Sequence, residues 1–234
     1  MRMDILSCGQ EEKLFPELLK DINKSPEKLF YKGEIGVVNE MPCVAIIGSR
    51  EASAKGLEMA FAFGRAAAES GFVVVNGLAL GCDAQAFRGA LSVGGRCAAL
   101  LPGGLDEIYP KSNAGLAEEI LEKGGCLISE YRNGVRPQKY SFVERDRLQS
   151  GISLGVVVIE TADKGGTMHT VKFAERQGRR LACYYSRIIQ MASGNQTIVN
   201  KGIGVPLENE KSLTDFLFKI RDVKAERYEQ LTLF

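Results

Sequence analysis

From residue 43 onward the chain alternates between short, unbroken apolar runs and longer stretches with helical patterning. The runs read CVAIIGS at 43–49, FVVVNG at 72–77, RCAALLP at 96–102, CLISEY at 126–131, GVVVIET at 155–161 and RLACYY at 180–185. Their apolar residues are consecutive rather than alternate, the pattern of strands covered on both faces in a parallel sheet. Helices are expected near 53–70, 82–93, 113–124, 140–150 and 167–178. Several open at Ser, Asp, Asn or Thr and stop at glycine, as from Ser53 to Gly71 and from Asn113 to Gly124. Repeated strand–helix units predict an α/β fold with a doubly wound, Rossmann-like sheet. Residues 1–42 read as a short N-terminal preface of one or two helices packed on that core. Residues 43–225 read as the domain itself, closing in a helix over 211–225, and 226–234 as a C-terminal tail.

In a parallel sheet, ligands bind where loops and helix N-termini converge at the carboxyl ends of the strands. Every unusual motif of this chain follows a strand: GSR at 48–50, NGLALGCD at 76–83, PGGLDEIYP at 102–110, SEY at 129–131 and ETADKGGT at 160–167. Glycines there let backbone N–H groups approach a ligand, and helix N-termini favour anions, so the edge is suited to phosphate. Neither a GxGxxG fingerprint nor a GxxxxGK[ST] loop is present, which disfavours NAD and P-loop nucleotide chemistry. His169, the single histidine, has no evident carboxylate partner and reads as a polar loop or helix-face residue rather than a general acid.

Composition adds limits. The 234 residues are 45% hydrophobic and 25% charged, the profile of an ordinary globular protein. Six cysteines lack any CxxC spacing, so a zinc site or disulfide framework is not expected and the thiols read as reduced, buried residues. No metal or cofactor is called for. No apolar stretch approaches 18 residues and the N-terminus lacks a signal-peptide core, which points to a cytoplasmic protein without a membrane anchor. Net charge is only +1, but it is unevenly spread: residues 132–187 hold 11 basic against 5 acidic side chains. Arg132, Arg136, Lys139, Arg145 and Arg147 interleave there with Tyr131, Tyr140 and Phe142, the mixture of cations and stacking rings that single-stranded nucleic acid requires. A solvated helix face, with Arg147 paired to Glu144 or Asp146, would produce the same count.

Taken together, FPELLKDINKSPEKLFYKG, VAIIGSR, GLALGCDAQAFRGAL, LPGGLDEIYPKSN, LISEY, FVERDRLQSGIS, VVVIETADKGGTMHTVKFAERQGR and SGNQTIVNKG resemble the DprA/Smf family. The likeness covers roughly residues 13–205, with the motifs in the family's order. It implies an extended Rossmann-like, mostly parallel sheet with flanking helices that binds single-stranded DNA without cleaving it. It further implies a homodimer that protects the strand and helps load the RecA recombinase in DNA processing, transformation or recombination. By position in the family motifs, Arg50, supported by Gly48 and Ser49, would contact phosphate. Lys139 would supply a second phosphate contact and Phe142 a stacking platform. Arg145 and Arg147 match the paired arginines of the F-P-x-R-N-R run. Lys111 and Asn113 lie in the YPxxN loop, while Gly165, Gly166 and Thr167 form the small-residue loop at a helix start.

Four residues depart from that pattern: Leu80 for a basic residue, Phe87 for histidine, Asp146 for Asn in the RNR run, and His169 at a usually apolar position. One cation lost and one anion gained imply weaker DNA binding with a flatter salt dependence. An alternative is a nucleotide-binding sensor or phosphoribohydrolase-like enzyme of the wider LOG-related Rossmann group. Its PGGxGTxxE motif is split here between 102–104 and 165–167, with no glutamate at the motif position and only Glu130 or Glu160 as substitutes. Finally, Gln230, Leu231, Leu233 and Phe234 form a QLxLF ending similar to the peptides that dock on the DNA-polymerase sliding clamp.

Overall fold

The computed structural model describes residues 3–231 of the chain. In chain order the elements are β1 (Leu6–Gly9), α1 (Glu17–Lys20), β2 (Lys28–Gly33), α2 (Val37–Glu40), β3 (Cys43–Ile47) and α3 (Ala54–Glu69). There follow β4 (Val73–Asn76), α4 (Cys82–Ser92), β5 (Cys97–Leu100), α5 (Ala114–Glu122), β6 (Cys126–Ser129) and α6 (Lys139–Ile152). The chain continues through β7 (Gly155–Val158), α7 (Thr167–Arg176), β8 (Arg180–Tyr184), α8 (Ser193–Asn200), β9 (Val205–Leu207) and α9 (Glu210–Leu231). One sheet runs in the order β1-β2-β6-β5-β4-β3-β7-β8-β9. From β6 to β9 all neighbours are parallel, whereas β1 and β2 join antiparallel at one edge. The expected α/β fold is thus present, and the six apolar runs are its six central strands.

The runs are continuous because both faces of those strands are covered. Val44, Ile46, Val74, Cys97, Ala99 and Leu127 point into one core layer beneath α3, α4, α5 and α9. Cys43, Val73, Val75, Ala98, Leu100, Cys126 and Ile128 point the other way, toward α1, α2 and α6. Ala45, Ile47, Val156 and Val158 continue that face beneath α7 and α8. All six cysteines are buried and outside any disulfide, and burial pushes the thiols of Cys8 up to about 11 and of Cys82 and Cys183 up to about 12. They act as small apolar residues in the interior, as their sequence setting suggests. Among the described residues, no helix is long and apolar enough to cross a membrane.

Two expectations need correction. The preface is not purely helical, because it supplies β1 and β2 and only two single-turn helices. In β2, Leu29 and Tyr31 alternate with less buried neighbours, the period of an edge region with one buried face, and the short run KLFYKG hides this signal. β9 is likewise an edge strand, where Pro206 is tolerated because no further neighbour needs its N–H. The terminal helix does not stop at 225: it continues to Leu231 through RDVKAERYEQL, which holds no Gly or Pro to end it. Gln230 and Leu231 therefore close a helix, while Leu233 and Phe234 lie outside the described residues.

The tightest packing joins α3 to α4. A Cβ built on Gly64 would stand 2.0 Å from the carbonyl oxygen of Ala86, so these helices approach to backbone contact. Gly64→Ala is expected to destabilise the fold by about 2–3 kcal/mol through forced separation of the pair. Urea unfolding measures this, and a loss below about 0.5 kcal/mol would contradict the reading.

Candidate nucleic-acid interface

Strand order reverses at β3: the chain builds outward through β4, β5 and β6 on one side, then returns to place β7 on the other. Loops leaving β3 and β7 consequently diverge at their carboxyl ends and leave a crevice, the position where open α/β sheets bind ligands. A cleft of about 510 Å³ lies there. Its walls are Ile47 to Glu51 after β3, Thr161 and Ala162 after β7, and Gly165, Gly166, Thr167, His169 and Thr170 at the start of α7. Residues Lys139, Phe142, Val143, Arg145, Asp146 and Gln149 of α6 form the facing side. A smaller adjoining pocket of about 60 Å³ is bounded by Arg50, Leu80, Tyr109, Pro110 and Phe142 among others.

The structure brings nine of the twelve sequence-derived binding residues to this cleft: Gly48, Ser49, Arg50, Lys139, Phe142, Arg145, Gly165, Gly166 and Thr167. Arg50 is exposed, and its guanidinium lies 5.2 Å from the centre of the Phe142 ring, a cation–π contact that holds the cation at the cleft mouth. Lys139 and Phe142 sit i, i+3 on α6 and share the cleft face, as their spacing predicts. Tyr109 meets Phe142 edge to face at 5.6 Å. Sequence reasoning did not single out Tyr109, although its place after β5, on the same edge, was the available signal.

Three residues fall elsewhere. Arg147 is 6% exposed, and its guanidinium is held by Glu130 and by Glu144 at 3.2 Å. It packs away from the cleft lining, so pairing rather than an open phosphate contact describes its surroundings. Asn113 is buried and donates from Nδ2 to the carbonyls of Leu78, at 2.9 Å, and Ala79, at 3.2 Å. It braces the loop after β4. Lys111 is exposed on a single 3-10 turn and does not line the cleft. Of the rings in the basic segment, only Phe142 lines the cleft; Tyr131 and Tyr140 do not.

Arg145 is the most constrained member. It is 5% exposed, donates from Nη1 to the Leu100 carbonyl at 2.9 Å, and pairs through Nε with Asp146 Oδ1 at 3.3 Å. A Cβ on Gly77 would come within 1.4 Å of its Nη1, so the guanidinium lies flat against a backbone that only glycine leaves bare. Asp83, also buried, accepts from Gly77 N–H at 3.0 Å and Ala79 N–H at 3.4 Å. Burial raises the carboxyl of Asp83, with Arg145 and these amides opposing the rise. Burial likewise pushes Asp146 up to about 6 against the attraction of Arg145 and Arg50. One guanidinium thus acts on two buried acids: it pairs with Asp146 and attracts Asp83 through the field of its charge.

The departures from the family pattern resolve differently. Phe87 is fully buried in the core beneath the cleft, and Leu80 is 45% exposed at the rim of the smaller pocket. His169 is exposed and lines the main cleft. Counted from Gly166-Thr167, the phosphoribohydrolase glutamate position falls on Thr170, which lines the cleft but carries a hydroxyl in place of a carboxylate. Glu160 accepts from Ser53 N–H at 2.9 Å and Ser53 Oγ at 2.6 Å, which fixes the start of α3. Glu130 is taken by Arg147. Both candidate substitutes are committed to holding secondary structure together. Among the described residues, no group of three or more His, Cys, Asp or Glu could hold a metal ion.

Two outcomes follow from the buried charges. Arg145→Ala leaves Asp83 and Asp146 without their shared cation and is expected to cost about 3–5 kcal/mol of stability, read by urea unfolding. A near-neutral change would show that the acids do not depend on it. Asp146 titrates near 6 when folded and near the ordinary carboxylate value of about 3.9 when unfolded. Between those values the folded chain holds more protons, so this group's contribution is complete below about pH 4 and is lost as pH rises through 6. Asp146→Asn should therefore raise Tm relative to the parent at pH 7.5, by the equivalent of about 1–2 kcal/mol, with the gain shrinking toward pH 4. A difference independent of pH would count against the burial argument.

The comparison with known proteins agrees with the geometry. The model of the family "DNA recombination-mediator protein A" matches residues 7–217. Protein Smf of Escherichia coli is 34% identical over 209 residues, covering 89% of this chain and 56% of that protein, so the chain spans little more than half its length. A solved structure of DNA processing protein A from Streptococcus pneumoniae superposes with a TM-score of 0.82 at 30% identity, covering 89% of this chain and 73% of that one. The Helicobacter pylori protein, whose structure was described for its single-stranded DNA binding mode, gives 0.81 at 29% identity over 93% and 97% of the two chains. On this evidence the chain belongs to the DNA recombination-mediator protein A family, also known as DprA/Smf.

Proposed function

We propose that this protein binds single-stranded DNA without cleaving it, protects the strand, and helps load the RecA recombinase during DNA processing, transformation or recombination. One observation carries the reading: the cleft at the strand-order reversal combines exposed Arg50 and Lys139 with the Phe142 ring. A cation tracks phosphate while a ring accepts any base, so this pairing suits a strand without a fixed sequence. Gly165, Gly166 and Thr167 supply the N-terminus of α7 across the cleft, where a second phosphate gains from the positive end of the helix dipole. The Helicobacter pylori relative, described as binding single-stranded DNA, supports the same assignment.

A homodimer and a cytoplasmic location are part of the proposal, as is docking of the last five residues on the polymerase sliding clamp. The competing sensor or phosphoribohydrolase-like enzyme needs a carboxylate free to react. Thr170 stands at the glutamate position and both Glu130 and Glu160 are engaged, so binding without catalysis is the better account of this edge.

Fluorescence anisotropy with oligo-dT at two salt concentrations tests the reading. Affinity should fall as salt rises, and Arg50→Ala should weaken binding about tenfold and reduce the slope of log K against log salt by about 0.7, with Tm unchanged. Tight binding of a mononucleotide without affinity for oligo-dT would support the sensor instead. Deleting residues 230–234 should abolish capture by an immobilised sliding clamp while leaving oligo-dT binding intact. Unchanged capture would remove the tail from the proposal.

A further inference from the structure

The buried charges of the cleft do not balance. Asp83 and Asp146 both line it, 5% and 9% exposed, and the buried cation that acts on both is Arg145. Asp83 is secured by other means as well: its carboxylate accepts the Gly77 and Ala79 amides, bonds that favour the charged form. Asp146 has less support. Its Oδ1 meets Arg145 Nε at 3.3 Å and accepts from Gln149 Nε2 at 2.7 Å, while Asp83 repels it. Further attraction comes from Arg50, which is exposed at the mouth and is the cation proposed to hold a phosphate. The other ionisable residues of the cleft lining are Glu51 after β3, Lys139 on α6 and His169 on α7. On the other side of α6, α1 sets apolar Leu19 and Ile22 beside Gly151. A phosphate at Arg50 has two effects on Asp146. It brings a negative charge into the same cleft, and it offsets the field of the cation that supports the carboxylate. Both favour the neutral carboxyl.

We propose that Asp146 takes up a proton when a single strand binds at the cleft, so that the protein holds DNA more tightly as the medium becomes more acidic. This rests on the single-strand reading above. Binding and protonation are linked reciprocally: a strand that raises the proton affinity of Asp146 is itself bound more tightly, by the same factor, once the proton is there. The direction follows from charge, because a neutral carboxyl removes one anion from the neighbourhood of a polyanion. The range follows from burial, which already pushes Asp146 up to about 6 in the free chain. Above that pH the free chain carries the charge, and a proton enters with the strand. Well below it the carboxyl is neutral in both states, and affinity levels off.

Anisotropy of the full chain with rhodamine-labelled oligo-dT, at one salt concentration, tests the proposal. Thymine and the phosphodiesters keep their charge near neutral pH, so the strand adds no titration of its own. The chain carries His169→Gln, which removes its single histidine from the same cleft. Affinity should rise about fivefold from about pH 7.5 to about pH 5.5. Adding Asp146→Asn should make binding at the higher pH as tight as the parent's at the lower, with no further change between them. Calorimetry near pH 6.5, in two buffers of different ionisation heat, counts the proton directly. About half a proton should enter with each strand, and none after Asp146→Asn. The count on the parent stands even if Asp146→Asn folds poorly. Binding that is independent of pH, with no proton taken up, overturns the linkage and leaves the single-strand reading intact. A pH dependence that survives Asp146→Asn overturns the assignment to Asp146, and failure to bind oligo-dT at any pH overturns both readings.

Discussion

The guanidinium of Arg145 ties together three parts of the chain that the sheet alone does not join. It reaches from α6 to the carbonyl end of β5, lies against Gly77 in the loop after β4, and carries the charge that two buried acids face. Asp83 in turn holds the amides of Gly77 and Ala79, and Asn113 holds the carbonyls on the other side of the same loop. Within this knot Leu78 takes a φ of 54°, a left-handed conformation that costs a branched side chain energy and persists because the surrounding bonds impose it. The mouth of the cleft depends on the knot: Ala79 and Leu80 are walls, and Phe142 stands one turn before Arg145 on α6.

Topology supplies the other half of the site. Because β7 returns to the far side of β3, the loops after these two strands separate and the start of α7 faces α6 across the gap. The glycine loop at 165–167 and the Ser49–Arg50 turn then meet, though more than 110 residues apart in sequence. Neither loop is held rigid by its own residues alone. Ser49 N–H donates to the Glu160 carbonyl at 2.7 Å, and Asn195 fixes Thr161 at 2.8 Å while bonding the ends of β7 and β8. Such bonds run between consecutive loops along the strand ends, so the ligand edge is built as one connected rim.

How far the sequence discloses this arrangement depends on the range of each signal. The six central strands are legible because burial on both faces leaves unbroken apolar runs, a purely local property. β2 and β9 are not, since one short half-exposed run and one proline-containing edge strand carry no such mark. At the site, Lys139 and Phe142 are placed by helical spacing, and Arg50 by its position after a strand. The pairing of Arg147 with Glu144 follows from their spacing on α6, but the burial of Arg145 and Asn113 and the second partner of Arg147 are invisible in sequence because the partners lie elsewhere in the chain: Leu100 and Gly77, Leu78, and Glu130. A motif identifies residues that belong to the site without telling a ligand contact from a brace that holds the contact in place.

That distinction also accounts for the charge balance. A net charge of +1 looks unfavourable for a protein proposed to bind a polyanion. Yet Arg145 and Arg147, the two arginines of the motif, face carboxylates in the interior and contribute little to the surface field. Attraction at the mouth falls to the exposed Arg50 and Lys139 and to the α7 N-terminus, and a local field of this kind acts over about a Debye length whatever the total. The acids of the floor lower that field but repel phosphate from the depth of the cleft. Under the proposed reading, a strand held at the mouth by its backbone keeps its phosphates away from these acids.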